Sequence, residues 1–180
     1  VVSAVMQGRS DTVWALLRNV PDPEIPVISI LDLGIVRAVH VDKNEGVEVV
    51  ITPTYAGCPA MHMIEESILA ALREYGIADA CVTTTLSPPW TTDWITAEGR
   101  AQLKAYGIAP PAPVQASVGE TRAQVIRFDA LRHAAFEQMP ACPLCGSAHT
   151  ERLSQFGSTA CKALYRCLDC REPFDYFKPY

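Results

Sequence analysis

Runs of lysine or arginine are missing from this chain, and the charge balance is acidic, with 15 basic against 20 acidic residues and a formal net charge of −5 at pH 7. Sequence-independent nucleic-acid binding displaces counterions with a basic footprint, so no nucleic-acid partner is expected. A polybasic membrane patch is excluded on the same ground. No apolar stretch approaches the ~20 residues that cross a bilayer. The opening VVSAVMQGRSD has neither the basic n-region nor the long apolar core of a secretory signal. These absences predict a cytoplasmic protein with no membrane partner. A phosphate-cradling glycine loop is also lacking, and no Ser-His-Asp or Cys-His-Asn arrangement can be assembled.

What the chain does have is cysteine and apolar bulk. Its 180 residues are 49% hydrophobic, enough to bury a core without disulfide staples. Seven cysteines in a reducing compartment point to metal ligands or reactive thiols, and the odd count leaves one unpaired in any disulfide scheme.

Read in order, Ser10-Asp11 looks like a helix start, followed by an apolar face of Val13, Trp14, Leu16, Leu17 and Val20. Pro21, Pro23 and Pro26 forbid a helix and favour an extended loop. Strands are expected over 35–42 and 47–52, joined as an antiparallel hairpin by Lys43-Asn44-Glu45-Gly46. Ile64, Ile68, Leu72 and Tyr75 mark an amphipathic helix closed by Gly76. A third strand is expected over 79–87, then an irregular PPWTTDW loop, then a short helix capped by Thr96 and ended by Gly107. This order describes a two-layer α+β domain over 1–108, with a small sheet and packed helices. Residues 109–139 read as a Pro-rich linker, with a helical segment in FDALRHAAFEQM, and 140–180 as a small all-β module.

That module carries two CxxC pairs, Cys142/Cys145 and Cys167/Cys170, separated by 21 residues. Each pair can form a knuckle, and two knuckles close a tetrahedron of thiolates around a structural Zn²⁺. Iron fits the same ligands. So short a segment lacks a core of its own, so metal binding would stabilise its fold. Two redox dithiols or two disulfides are the competing reading. Cys161, outside both pairs, reads as a buried strand residue, with a spare ligand or reactive thiol as the lesser alternative.

The stretch TPTYAGCPAM stands between the second strand and the second helix. Pro59 suits the first helical position, which would make Cys58 the N-cap. The unpaired N–H groups of a helix start would then pull the Cys58 pKa down. Simple packing at a loop end is the competing reading. His62 reads as solvent-facing, Asp32 and Glu24 as loop caps, and Cys81 as a core strand residue.

Three stretches taken together, DPEIPVISILDLGIV, TPTYAGCPAM and SPPWTTDWIT, resemble the MIP18 (DUF59) family of iron–sulfur assembly factors over about residues 10–108. The DPE-x-P…LG loop and the T-x-x-x-x-x-C-P turn from Thr52 to Pro59 are its marks. The tail FGSTACKALYRCLDCREPFDYFK extends the resemblance through 140–180, to the accessory subunits of the PaaD (or PaaJ) family in phenylacetyl-CoA epoxidase systems. The resemblance implies a functional thiol at Cys58, acidic loop residues Asp22, Glu24 and Asp32, and a post-strand motif Pro88, Pro89 and Trp90. It implies a non-catalytic helper that installs an iron–sulfur cluster or di-iron centre in the epoxidase reductase or oxygenase subunits. Iron or a cluster would be held transiently at Cys58, stabilised by a second chain in a homodimer or by His62. A thiol enzyme with Cys58 as nucleophile and His62 as base, or a scaffold docking through FDYFK, are the alternatives. RAQVIRFDALRHAAF matches no motif, and 109–139 is longer than the family linker leads one to expect.

Overall fold

The computed structural model describes residues 2–111 and 139–179, with side chains from Gly8 onward in the first helix. The helical segment expected in FDALRHAAFEQM lies outside the described residues, as does most of the linker.

Helix α1 runs Val2–Leu17 and so starts eight residues before the expected Ser10. No proline interrupts that stretch, and Gly8 in a helix interior costs only about 1 kcal/mol relative to alanine. Val13 and Leu17 are fully buried and anchor it. The chain then doubles back through the proline loop. Pro21 bridges to Ser29, and the Asp22 N–H donates to the Ile28 carbonyl at 2.9 Å. The loop buries Ile25, Ile28 and Ile30, so it is part of the core rather than a surface connection. It ends at Gly34, whose φ of +74° favours glycine, and where an added Cβ would stand 2.6 Å from the Trp94 Cβ.

Strands β1 (Val36–Val41) and β2 (Val47–Ile51) form the expected antiparallel hairpin. Helix α2 (Met61–Glu74) carries the chain across to β3 (Ala80–Thr84), which pairs with β2 in parallel. A parallel neighbour requires such a crossover. Ile64, Ile68 and Leu72 are buried on α2, whereas Tyr75 falls past its end and is exposed, against the expected apolar face. Strand β3 is an edge strand, shorter than the expected 79–87. Its alternation half-buries Ala80 and Val82 and turns Cys81 to solvent, so Cys81 is not a core residue. A 3-10 turn (Thr92–Trp94) interrupts the loop that follows. Helix α3 (Ala97–Ala105) is capped by Thr96, whose side-chain oxygen accepts from the Gly99 N–H.

The second sheet has the order β4-β7-β6-β5, built from β4 (Ile108–Ala109), β5 (Thr150–Ser154), β6 (Lys162–Cys167) and β7 (Pro173–Phe177). Its two-residue strand β4 precedes the linker and pairs in parallel with β7. Two residues are too few to show a strand period, which is why the sequence does not reveal it. Arg100 fixes the outgoing chain by donating to the Pro111 and Thr92 carbonyls. The two sheets share one core: Phe177 of β7 and Cys161 are buried in the same cluster as the α1 and α2 residues. The Phe177 ring lies 6.0 Å from that of Trp90, whose Nε1 donates to the Leu33 carbonyl at 3.0 Å. Burying a side chain such as Phe177 contributes about 1.5–3 kcal/mol, so the C-terminal module is held against the N-terminal one by packing.

Candidate metal centres

Four cysteines converge at the far end of the second sheet. The sulfurs of Cys142, Cys145, Cys167 and Cys170 all lie within 4.8 Å of one another. Cys142 stands 3.8 Å from Cys170, and Cys145 stands 3.6 Å from Cys167. A regular tetrahedron of Zn–S bonds of about 2.3 Å has edges of about 3.8 Å, so the donor set and its spacing fit one tetrahedral thiolate-bound ion. Local chain chemistry makes both knuckles alike. Each is followed by a left-handed residue, Gly146 at φ +78° and Arg171 at φ +70°, which turns the chain sharply past its second cysteine. Backbone N–H groups face the sulfurs, and Cys167 is held down at about 6, chiefly by the Cys170 N–H and then that of Asp169, against desolvation. Asp169 braces the two knuckles by accepting from Ser147 Oγ and lying 3.3 Å from His149 Nδ1.

The second centre is built around Cys58. Its backbone N–H donates to the Tyr55 carbonyl at 3.2 Å, closing a turn through Gly57 at φ +93°. The helix starts later than expected: α2 begins at Met61 with Ala60 as N-cap, because Pro59 and Ala60 take up one further turn. Cys58 is therefore not the N-cap. The pKa also moves the other way. Burial pushes the half-buried Cys58 thiol above its ordinary value, and the charges of Glu24 and Asp22 add to this. The N–H groups of Ala60 and Met61 oppose it without prevailing.

The proline loop brings Asp22 and Glu24 toward this thiol. Asp22 is only 5% exposed, and its Oδ1 accepts from the N–H groups of Glu24 (2.9 Å) and Ile25 (2.8 Å). Burial nonetheless raises its carboxyl above the usual carboxylate value. Thr52 is buried nearby at the end of β2, and its Oγ1 has no hydrogen-bond partner. Thr52, Tyr55, Ala56, Pro89 and Trp90 line a groove of about 500 Å³ beside the Cys58 loop.

Other anticipated residues lie elsewhere or serve packing. Asp32 is taken up structurally, accepting from Ser29 Oγ at 2.7 Å and Thr96 Oγ1 at 2.8 Å, which ties the proline loop to α3. His62 is exposed and pairs with Glu66 at 3.3 Å along the helix. Pro88 follows a cis peptide, and both it and Pro89 are exposed. Trp90 is core, and Trp94 stacks under the Arg37 guanidinium, 3.4 Å from the ring centre. The residue that sequence reasoning set aside is Cys161. It sits just before β6 with its sulfur 3.8 Å from Glu24 Oε2. The only signal in the sequence was a cysteine standing outside both CxxC pairs.

Comparison with known proteins agrees with this division. Residues 130–178 match the PaaD zinc beta ribbon domain, and residues 10–81 match a family described as iron–sulfur cluster assembly protein. A protein of Escherichia coli (strain K12) assigned as a component of 1,2-phenylacetyl-CoA epoxidase is 47% identical over 166 residues, 92% of this chain and 90% of that one. The chain belongs to the PaaD family. Its PaaD ribbon is joined to an N-terminal part shared with a wider group. A protein named Fe-S protein maturation auxiliary factor, from Porphyromonas gingivalis, is 33% identical over 54% of this chain and 92% of its own length. The crystal structure of a DUF59 domain from Bacillus anthracis superposes with a TM-score of 0.53 at 24% identity, over 56% of this chain and 96% of that one, a likeness of fold alone. Among the described residues of this PaaD-family chain, no helix is long and apolar enough to cross a membrane.

Proposed function

We propose that the chain is an accessory subunit of a multicomponent phenylacetyl-CoA epoxidase that helps load iron, or an iron–sulfur unit, into the reductase or oxygenase subunits. It acts on those subunits rather than on the aromatic substrate. The observation that carries this reading is a half-exposed thiol, Cys58, under the influence of the buried Asp22 and the half-buried Glu24 and kept apart from a complete four-cysteine centre. Membership of the PaaD family and the relation to maturation factors support it.

The chemistry agrees. Four thiolates on a closed tetrahedron retain their ion, so the ribbon centre is structural and takes zinc. A thiol whose pKa is raised gives up its proton only when a cation replaces it, and takes it back when the cation leaves. That suits transfer better than storage. The thiol-enzyme reading has less support, since a nucleophile needs a depressed pKa or an adjacent base, and His62 pairs with Glu66 instead.

The test is Cys58→Ser in cells that carry the epoxidase components. The variant should keep its ribbon zinc and its fold, while the isolated reductase or oxygenase subunits lose most of their iron. Full iron occupancy in cells with only this variant would count against the proposal.

A further inference from the structure

Strand β7 belongs to two cores at once. Side chains alternate along a strand, so Phe174 and Phe177 point to opposite faces. Phe174 lies in the core of the ribbon, with Ala109, Ala163, Tyr165 and two of the metal ligands, Cys142 and Cys167. Phe177 lies in the other core, with Trp90 and the buried residues of α1 and α2. A ribbon core this small, built in part from the ligands themselves, keeps its sheet only with the ion bound. The place of Phe177 depends on that sheet. Phe177 stands opposite Lys162 of β6, and the next residue, Lys178, donates its N–H to the Cys161 carbonyl at 3.0 Å.

From Phe177 the contacts continue to the Cys58 turn. The Phe177 ring meets that of Trp90 at 6.0 Å, and Trp90 lines the groove of about 500 Å³ together with Tyr55 and Ala56. The Tyr55 carbonyl accepts from the Cys58 N–H at 3.2 Å, and Tyr55 and Cys58 both pack against the core that holds Trp90 and Phe177. We propose that the ribbon is a clasp for the Cys58 site: with its metal bound it seats Phe177 against Trp90 and so shapes the groove and the thiol turn, and without its metal that support is withdrawn. The functional meaning rests on reading Cys58 as a metal-handling thiol, whereas the coupling itself does not. Phe177 is a positioning residue, acting on the Cys58 turn through Trp90. Two states follow. In the loaded state Phe177 is buried and Trp90 is 4% exposed. In the empty state the β5–β7 sheet loosens, Phe177 leaves the shared core and the indole loses its cover. The ion favours the first state, because only there do the four thiols converge. A chain short of ribbon metal therefore presents no formed transfer site, and it serves a partner only after its own zinc is in place.

The test follows alkylation of Cys58 in the full-length protein, resolved by peptide mass spectrometry, together with hydrogen exchange at the Cys58 amide and zinc content. Chelating the ribbon zinc should speed Cys58 alkylation about fivefold or more, and speed exchange of that amide. Phe177→Ala should do the same with zinc retained, and Phe177→Leu takes its place if the alanine variant does not fold. Leu153→Ala, on the exposed side of β5, should change neither rate. An unchanged Cys58 rate after chelation overturns the inference. So does a faster rate on chelation that the zinc-retaining Phe177 variant fails to reproduce, or that Leu153→Ala reproduces equally. If chelation also opens the amides of α1 and α2, the zinc-retaining Phe177 variant alone decides. Failure on any of these counts leaves the transfer role standing, since that role is read from iron in the partner subunits of cells carrying Cys58→Ser.

Discussion

The chain holds two sulfur centres of opposite construction. The ribbon knuckles place four sulfurs at metal-bonding separation before any ion is considered, on left-handed turns that repeat in both CxxC pairs. The Cys58 turn presents a single half-buried thiol, raised in pKa chiefly by burial and then by the charges of Glu24 and Asp22. The difference teaches that sulfur count alone does not set the role of a site. Four thiols preorganised at bonding separation can keep an ion, whereas a lone thiol desolvated by burial offers one bond and holds its proton until a cation displaces it.

The most severe way to break the comparison is to remove a ribbon ligand. Cys142→Ser or Cys167→Ser should abolish ribbon metal and unfold the C-terminal sheet, since structural zinc supplies on the order of 10 kcal/mol in small metal-dependent folds. Metal analysis and limited proteolysis would show this, with α1 and α2 still protected.

Next in size is the joint between the parts. Trp90→Ala removes the contact with Phe177 and the bond to the Leu33 carbonyl, and should cost about 3–5 kcal/mol in thermal denaturation.

A smaller effect sharpens the electrostatic side of the comparison. Because Glu24 raises the Cys58 pKa, Glu24→Gln should lower it, enlarge the thiolate fraction at neutral pH and speed alkylation of Cys58 several-fold. The wild-type rate should keep climbing above the pH at which an ordinary thiol of pKa 9.0 levels off. Asp22 offers a related stability test. Its folded-state carboxyl is raised, so its charged form costs stability at neutral pH, and that cost disappears as pH falls below the ordinary value of 3.8. Asp22→Asn should raise Tm by a few degrees at neutral pH, with the gain shrinking as the pH is lowered.

The smallest effect is expected at Cys81. It is exposed on an edge strand, so Cys81→Ser should change stability by less than about 0.5 kcal/mol and leave both centres intact.

These sites were unequally legible in the sequence. The helices and the hairpin were readable because apolar period and glycine punctuation are local signals, and the four-cysteine set was readable because CxxC spacing encodes its own geometry. Cys58 was readable as a turn thiol, but its pKa direction was not. The N–H groups act from the next residues, whereas burial and the charges of Asp22 and Glu24 arrive from a loop more than thirty residues away. Strand β4 and the outward face of Cys81 were likewise set by neighbours distant in sequence.

The sequence by itself determined the order of helices and strands from α1 to α3, the tetrahedral thiol set and the place of a cysteine between β2 and α2, since each rests on signals among residues close in the chain. Only the tertiary structure decided that the ribbon packs through Phe177 onto Trp90, and that Cys161 meets the Glu24 carboxylate of the proline loop. Those outcomes depend on which surfaces lose water together, and burial of that kind is a property of the assembled core.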